Sequence, residues 1–182
     1  HTEEWYGHLN AGEVASITMP LWYMGRFTDY CSDQSGKIAI YEMPVWNEGD
    51  VRAVLQGGTG TSVIQGTQNE QLAKDFLAFA KLSKEGNEYE WNILGFDPIR
   101  TELWDDVELT TNPENKFIAY FVTNPFDVLK KNGTDLTAPA IDGCYSTVYS
   151  TLVSSVYANA FELDPEADPM ELLQNEQDNI IF

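Results

Sequence analysis

Hydrophobic positions along the chain alternate between two periods, one helical and one extended. Residues 2–11 (TEEWYGHLNA) place Trp5 and Leu9 on one face, with His8 beside them and Glu3 and Glu4 in the first turn. Gly12 follows where a residue of positive φ closes a helix. VASITM then alternates, with Ala15, Ile17 and Met19 against Val14, Ser16 and Thr18. This period of two predicts a strand over 14–19, stopped by Pro20. LWYMGRFTDY (21–30) reads as a short helix, and its Trp22 follows the strand end directly, where α/β sheets hold their ligand sites. KIAIYEMP (37–44) predicts a second strand closed by Pro44, and TGTSVIQG (59–66) a third, entered through Gly57 and Gly58. A glycine pair there permits close approach of backbone, either a ligand's or another segment's.

The clearest helix begins at Thr67. TQNE reads as a capping box, Thr67 reaching forward and Glu70 back, ahead of a stripe of Leu72, Phe76, Phe79, Ala80 and Leu82 that Ala73 and Leu77 widen. That stripe is expected to be the most buried helical face of its region, with Gly86 as the stop. NEYEWNIL (87–94) reads as a second short helix before the turn GFDP. A helical stretch is expected from 110–116 through KFIAYFVTN, halted by Pro125, then a short helix in FDVLKKNG ended by Gly133. After the loop TDLTAPAID (134–142), a helix over 146–161 carries Tyr149, Leu152, Val153, Val156, Tyr157 and Ala160 on one face. Asp168 as cap, Pro169 at the first helical position and Glu171 mark a last helix start. Strands interspersed with helices, without internal repeats, predict a mixed α/β class with helices packed on a small mixed sheet.

Charge narrows the partners. Ten basic residues face 29 acidic ones among 182, a formal net charge of -19. No Lys/Arg cluster is available to displace counterions from phosphates, so DNA, RNA and docking on anionic lipid through a basic patch are set aside. No apolar run reaches the length of about 18 residues that a membrane span requires. A start at His1 rather than Met reads as a processed or truncated product, so the lack of a signal peptide carries no information on compartment. Cys31 and Cys144 read as separate thiols, with a bridge between them the alternative in an oxidising compartment, and their spacing fits no zinc site. Asn132–Gly133–Thr134 fits the N-glycosylation pattern, a match that chance often produces.

Catalytic inventory is thin. Both histidines lie within the first eight residues, and neither HExxH nor a nucleophile elbow occurs. No metal or cofactor is expected. Two of the many carboxylates could serve a glycosidase, but that reading requires two convergent acids in a closed pocket with one partly buried. An interaction domain without a small ligand is the other alternative. Aromatic residues, by contrast, make up 13% of the chain, and Trp5, Trp22, Trp46, Trp91 and Trp104 all lie in polar, turn-like settings. Aromatics without basic partners suit uncharged ligands that offer C–H faces and hydroxyls, such as sugars.

The order of these segments resembles the C-terminal half of the sugar-type extracellular solute-binding proteins, the maltodextrin-binding-protein-like receptors of ABC importers. In that family a Gly-Glu-x-Ala strand leads to a Trp, here Gly12, Glu13, Ala15 and Trp22. A strand ending in Pro follows (Pro44), then a glycine-containing crossing strand (Gly57, Gly58). Next comes an Asn-x-Glu-x-Ala-x-x-Phe-Leu helix, here Asn69, Gln71, Ala73, Phe76 and Leu77, with Gln71 standing where the family has Glu. The Gly-x-x-Pro segment corresponds to Gly95–Pro98, and the late aromatic helix to Tyr145–Ala160.

The resemblance implies a two-lobed periplasmic-binding-protein-like fold, with 1–58 and 110–182 in the second lobe and 59–109 in a first lobe that is mostly absent. It implies a binding function, not an enzyme: a sugar or oligosaccharide captured between the lobes and handed to ABC permease subunits. The setting it implies is extracytoplasmic, with the full-length parent lipid-anchored. Trp22 is the leading ligand residue because its family counterpart stacks on a sugar ring; the residue type alone fits a core Trp equally well. Gly57, Gly58 and Thr59 are expected to line the cleft through backbone groups, unless they mark a tight crossing. Tyr145 and Tyr149 are candidates on the late helix, and Trp46 and Arg52 flank the loop before the glycine pair.

Overall fold

The computed structural model describes residues 2–55, 57–133, 136–138, 141–164 and 166–180. Thr134 of the glycosylation pattern and part of the 134–142 loop lie outside them. The chain forms two compact units, His1–Thr137 and Ala138–Phe182.

The first unit is an assembly of short helices whose ends are set by capping side chains. Helix α1 (Glu3–Ala11) starts at Thr2, whose hydroxyl accepts the Trp5 N–H, and stops at Gly12 with φ 73°. A 3-10 turn, Leu21–Tyr23, runs into α2 (Met24–Tyr30). Helices α3 (Glu70–Leu82) and α4 (Lys84–Leu94) are joined by Ser83 alone, and Gly95 (φ 71°) closes α4. After a 3-10 turn (Thr101–Asp105) come α5 (Val107–Thr110), α6 (Lys116–Tyr120) and α7 (Pro125–Asn132). Asn115 caps α6 through the N–H groups of Phe117 and Ile118, and Asn124 caps α7 through that of Phe126. Each cap also donates across the fold, Asn115 to the Asn92 side chain (2.9 Å) and Asn124 to the Thr110 carbonyl (2.7 Å). The same two amides therefore start helices and tie them to their neighbours.

Tyr23, Trp91, Phe117 and Phe126 are almost fully buried and form the centre of the core with Met24, Phe27, Cys31, Leu103 and Phe121. The Trp91 ring lies 4.6 Å from Phe126 and 5.7 Å from Phe117, so α4, α6 and α7 meet on one indole. Gly95 is where that packing leaves no room: a Cβ there would fall 2.6 Å from the Phe117 ring. Buried Asn87 ties the α3–α4 joint to the segment after it. Its amide donates to the carbonyls of Lys81 (3.0 Å) and Ser83 (2.9 Å), and its oxygen accepts the Arg100 N–H (3.2 Å).

The expected sheet requires correction. Among the described residues no sheet forms, and the only β pairing is a parallel bridge between Val54 and Thr137. Segments 14–19, 37–44 and 59–66 are not strands. A period of two specifies a pleated, half-buried segment, but a strand exists only when a neighbour takes its N–H and C=O groups. The second segment comes nearest. Its Ile38 carbonyl accepts the Val122 N–H (2.8 Å), and the Thr123 hydroxyl both accepts the Ile40 N–H (2.7 Å) and donates to the Ile40 carbonyl (3.0 Å). This contact also ends α6 at Tyr120 rather than at Pro125, which instead opens α7.

Two further corrections concern α3. Its cap position is Asn69, not Thr67. Thr67 accepts only a long bond from the Asn69 N–H (3.4 Å), while Glu70 is drawn forward to Lys74 (2.5 Å). Gly86 does not end this helix but sits buried in the first turn of α4, donating its N–H to the Ser83 hydroxyl (2.9 Å). The apolar stripe is also turned outward: Leu72, Phe76, Phe79 and Leu82 are exposed, Phe76 at 65%. Ala80 of that stripe, with Ala73 and Leu77 beside it, is half-buried.

The second unit pairs α8 (Tyr145–Thr151), which widens into π-helical turns over Leu152–Tyr157 and Asn159–Leu163, with α9 (Pro169–Ile180). A regular helix was expected there. Side chains on this stretch take carbonyls that the backbone ladder would use: Ser154 that of Ser150 (2.6 Å), Asn159 that of Ser155 (2.8 Å). Such back-bonding loosens the regular ladder. Val156 is the buried member of the expected face, and Ser155 donates to Glu176 on α9 (2.5 Å). Asp168 accepts the Met170 N–H (2.8 Å), so the last helix starts at the expected residue.

Gly86→Ala should destabilise the unit by about 2–3 kcal/mol in urea melts, because its Cβ would lie 2.5 Å from the Phe79 and Ala80 carbonyl oxygens, which are backbone and cannot swing away. Phe76→Ser should change stability by less than about 0.5 kcal/mol, as exposed sites do, while lowering binding of a hydrophobic dye to the chain. A large loss of stability from Phe76→Ser would mean that this face is packed after all.

Candidate functional site

Trp22 owes its position to what surrounds it in sequence. Pro20 (φ -69°, ψ 156°) keeps the chain extended up to the 3-10 turn, and the Tyr23 N–H closes that turn on the Pro20 carbonyl (2.9 Å). Tyr23 is buried, and its hydroxyl accepts the Trp5 indole N–H at 3.0 Å. Edge-to-face contacts run from Trp22 to Tyr23 (5.7 Å), from Tyr23 to Phe27 (5.5 Å) and on to Phe121 (6.1 Å). Trp22 itself is 45% exposed. It is an aromatic surface on a rigid base, the form a stacking contact needs. The strand expected to precede it is only an extended segment, for the reason given above.

A titratable pair holds the corner before that segment. His8 Nδ1 and a Glu13 oxygen are 2.5 Å apart, which raises the imidazole's pKa above its ordinary value through hydrogen bonding and charge attraction. The pair fastens the end of α1 to the start of the extended run. Beside it, Tyr6 of α1 stacks on Tyr30 of α2 with centroids 4.6 Å apart.

Gly57, Gly58 and Thr59 are exposed. A Cβ added at Gly57 or Gly58 would meet nothing within 4 Å, so among the described residues no segment crosses tightly there. The run before them is pinned, since the Leu55 N–H donates to the Thr137 carbonyl (2.8 Å) and the Thr137 N–H to that of Ala53 (3.2 Å). In the second unit, Tyr145 and Tyr149 sit one helical turn apart on α8 with rings nearly parallel, 6.2 Å between centroids and 15° between planes. Tyr145 is half-buried and Tyr149 is 56% exposed.

Trp46 is the residue whose prominence sequence reasoning undervalued. It is 99% exposed, on the loop between Pro44 and Arg52. The available signal was its setting, VWNEGD, in which a turn sequence follows a large aromatic.

Among the carboxyl groups, that of Asp97 is held above the usual range by desolvation, and no second carboxylate acts on it. Glu102 and Asp106 are held below it, Glu102 chiefly by its hydrogen bond to Arg100 and Asp106 chiefly by the Leu109 N–H. Cys31 is buried and Cys144 exposed, both as free thiols. No helix among the described residues is long and apolar enough to cross a membrane.

Comparison with known proteins locates the chain. It is 39% identical over 180 residues, 99% of its length, to an arabinooligosaccharide-binding protein of Halalkalibacterium halodurans, of which it spans 40%. It is 46% identical over 142 residues, 78% of its length, to an arabinooligosaccharide-binding protein of Bacillus subtilis, of which it spans 30%. No family model matches the chain, and no solved structure matches it significantly. Both relatives are thus arabinooligosaccharide-binding proteins, and the resemblance drawn from the motifs is borne out along nearly the whole chain.

The His8–Glu13 pair gives a pH signature. Because the folded-state pKa of His8 is raised, its stabilisation is complete below about 6.5 and is lost as pH rises through the elevated value. The melting temperature of His8→Gln should therefore fall below that of the wild type at pH 6, with the gap closing by pH 9 and shrinking in high salt. A gap constant across that range would show that the pair contributes no charge interaction.

Proposed function

We propose that this chain is part of the sugar-receptor component of an ABC uptake importer and that its ligand is an arabinose-containing oligosaccharide. The observation that carries the reading is the 39% identity over 99% of the chain to an arabinooligosaccharide-binding protein. Because the chain spans only 40% of that relative, the receptor's activity is assigned to a longer protein of which this is a portion. In it, the chain supplies parts of two lobes of a periplasmic-binding-protein-like fold.

This layout gives two features of the structure a physical purpose. Segments 14–19, 37–44 and 59–66 carry strand periodicity without ladder partners, and a mixed sheet shared with the rest of the receptor would supply them. The outward stripe of α3 is a contiguous apolar face, and the remainder of its lobe would cover it.

Trp22 stacks on a sugar ring, and Gly57, Gly58 and Thr59 offer backbone groups to hydroxyls. Tyr145 and Tyr149 add a second aromatic face. Contacts from both lobes favour the closed form, so binding proceeds by hinge closure and the closed receptor delivers its ligand to the permease subunits. The protein works outside the cytoplasm, lipid-anchored in its full length. The high negative charge suits a neutral, hydroxyl-rich ligand.

Calorimetry with arabinooligosaccharides tests the reading. The longer receptor should bind them, and the 182-residue chain should bind at least about a thousandfold more weakly, because one wall forfeits roughly 4 kcal/mol of contacts. Trp22→Ala in the longer receptor should cost about tenfold or more, the equivalent of roughly 1.4 kcal/mol. Equal affinity of both proteins would overturn the two-lobe mechanism, and no binding by either would overturn the ligand assignment.

A further inference from the structure

We propose that Trp5 is a positioning residue for sugar binding, which sets the Trp22 indole through the Tyr23 hydroxyl; this rests on the receptor reading above. Tyr23 is only 1% exposed, so its surroundings are complete within this chain, whatever the rest of the receptor covers.

A stacking ring serves a ligand only when its own supports lock its plane. Trp22 lies in a three-residue 3-10 turn, whose hydrogen bonds are poorer than those of an α-helix. Its indole meets the Tyr23 ring edge-to-face at 5.7 Å, so the plane of Trp22 follows where Tyr23 is held.

Tyr23 is held at its far end by α1. Its hydroxyl accepts the Trp5 indole N–H (3.0 Å) and is also hydrogen-bonded to Tyr6. Thr2 fixes the turn that carries Trp5 by accepting its backbone N–H (3.2 Å). α1 is in turn fastened to the end of α2: Tyr6 stacks on Tyr30 (4.6 Å), and the Asn10 amide donates to the Tyr30 carbonyl (2.9 Å). The Gln34 amide then donates to the Asn10 carbonyl (2.6 Å). Trp5 also packs against the core, which a phenylalanine ring would do as well; the N–H is what Tyr23 uses. Removing it leaves a buried hydroxyl short of a partner, so the Tyr23 ring moves, and the edge that supports Trp22 moves with it.

Calorimetry on the longer receptor with an arabinooligosaccharide tests this as a double-mutant cycle. Trp5→Phe keeps an aromatic ring and removes the donor. Tyr23→Phe removes only the hydroxyl and carries the test if Trp5→Phe does not fold. Each should weaken binding about fivefold with Trp22 present and by less than about twofold in the Trp22→Ala background. The two combined should weaken it no more than Tyr23→Phe alone, since both remove the same bond. A loss that persists in full without the Trp22 indole would be a general effect on the fold and overturns the proposal, as does wild-type affinity in both single variants. Unchanged affinity of Trp22→Ala also overturns it, while leaving the receptor reading intact. Failure of the wild-type receptor to bind removes both.

Discussion

Burial of the Trp91 indole is the constraint from which the first unit follows. α4 carries it, α6 and α7 supply the Phe117 and Phe126 rings against it, and Gly95 gives up a side chain so that Phe117 can approach. Burying so large an aromatic is worth about 4–6 kcal/mol at 25 cal/mol per Å². Its Nε1–H finds no acceptor among the described residues, which returns roughly 1–3 kcal/mol. Burial still wins, and the margin explains why a unit of helices as short as α5 and α6 holds together. Helices of four or five residues have no stability of their own. They exist because Asn115 and Asn124 satisfy their ends and the aromatic cluster fixes their sides.

Local signals were legible in the sequence and long-range ones were not. Gly12, Gly95, Gly133 and Asp168 each mark a helix boundary readable from residue type, because a cap is a property of a few adjacent residues. Gly86 misled for the same reason: a stop signal and a close-packing glycine look alike until the partner, here the Phe79 and Ala80 carbonyls, is in place. At Thr67 the expected box did not form, because Glu70 was diverted by Lys74 and the cap position fell at Asn69. The strands failed on a different ground. Alternation within 14–19 is intrinsic, but a ladder needs a second segment, and sequence pattern says nothing about whether one is adjacent.

The site divides similarly. Trp22 could be located by the Pro20 stop, and its support, the Tyr23 hydroxyl held by Trp5, could not, since it joins residues 18 apart in sequence. Relationship to sugar-binding proteins was readable from the order of motifs, none of which is specific alone. The orientation of α3 was not, because its stripe satisfies the helical period whichever face the rest of the protein covers.

Ser83 has a mechanical meaning beyond capping. It ends α3 and begins α4, accepting the Gly86 N–H while its carbonyl takes the Asn87 amide, so the two helices share a joint of one residue. A loop of several residues would absorb a rotation by small changes spread over many dihedrals. A one-residue joint locked by a buried amide has no slack. The direction of α3 is therefore tied to that of α4, which carries the Trp91 indole.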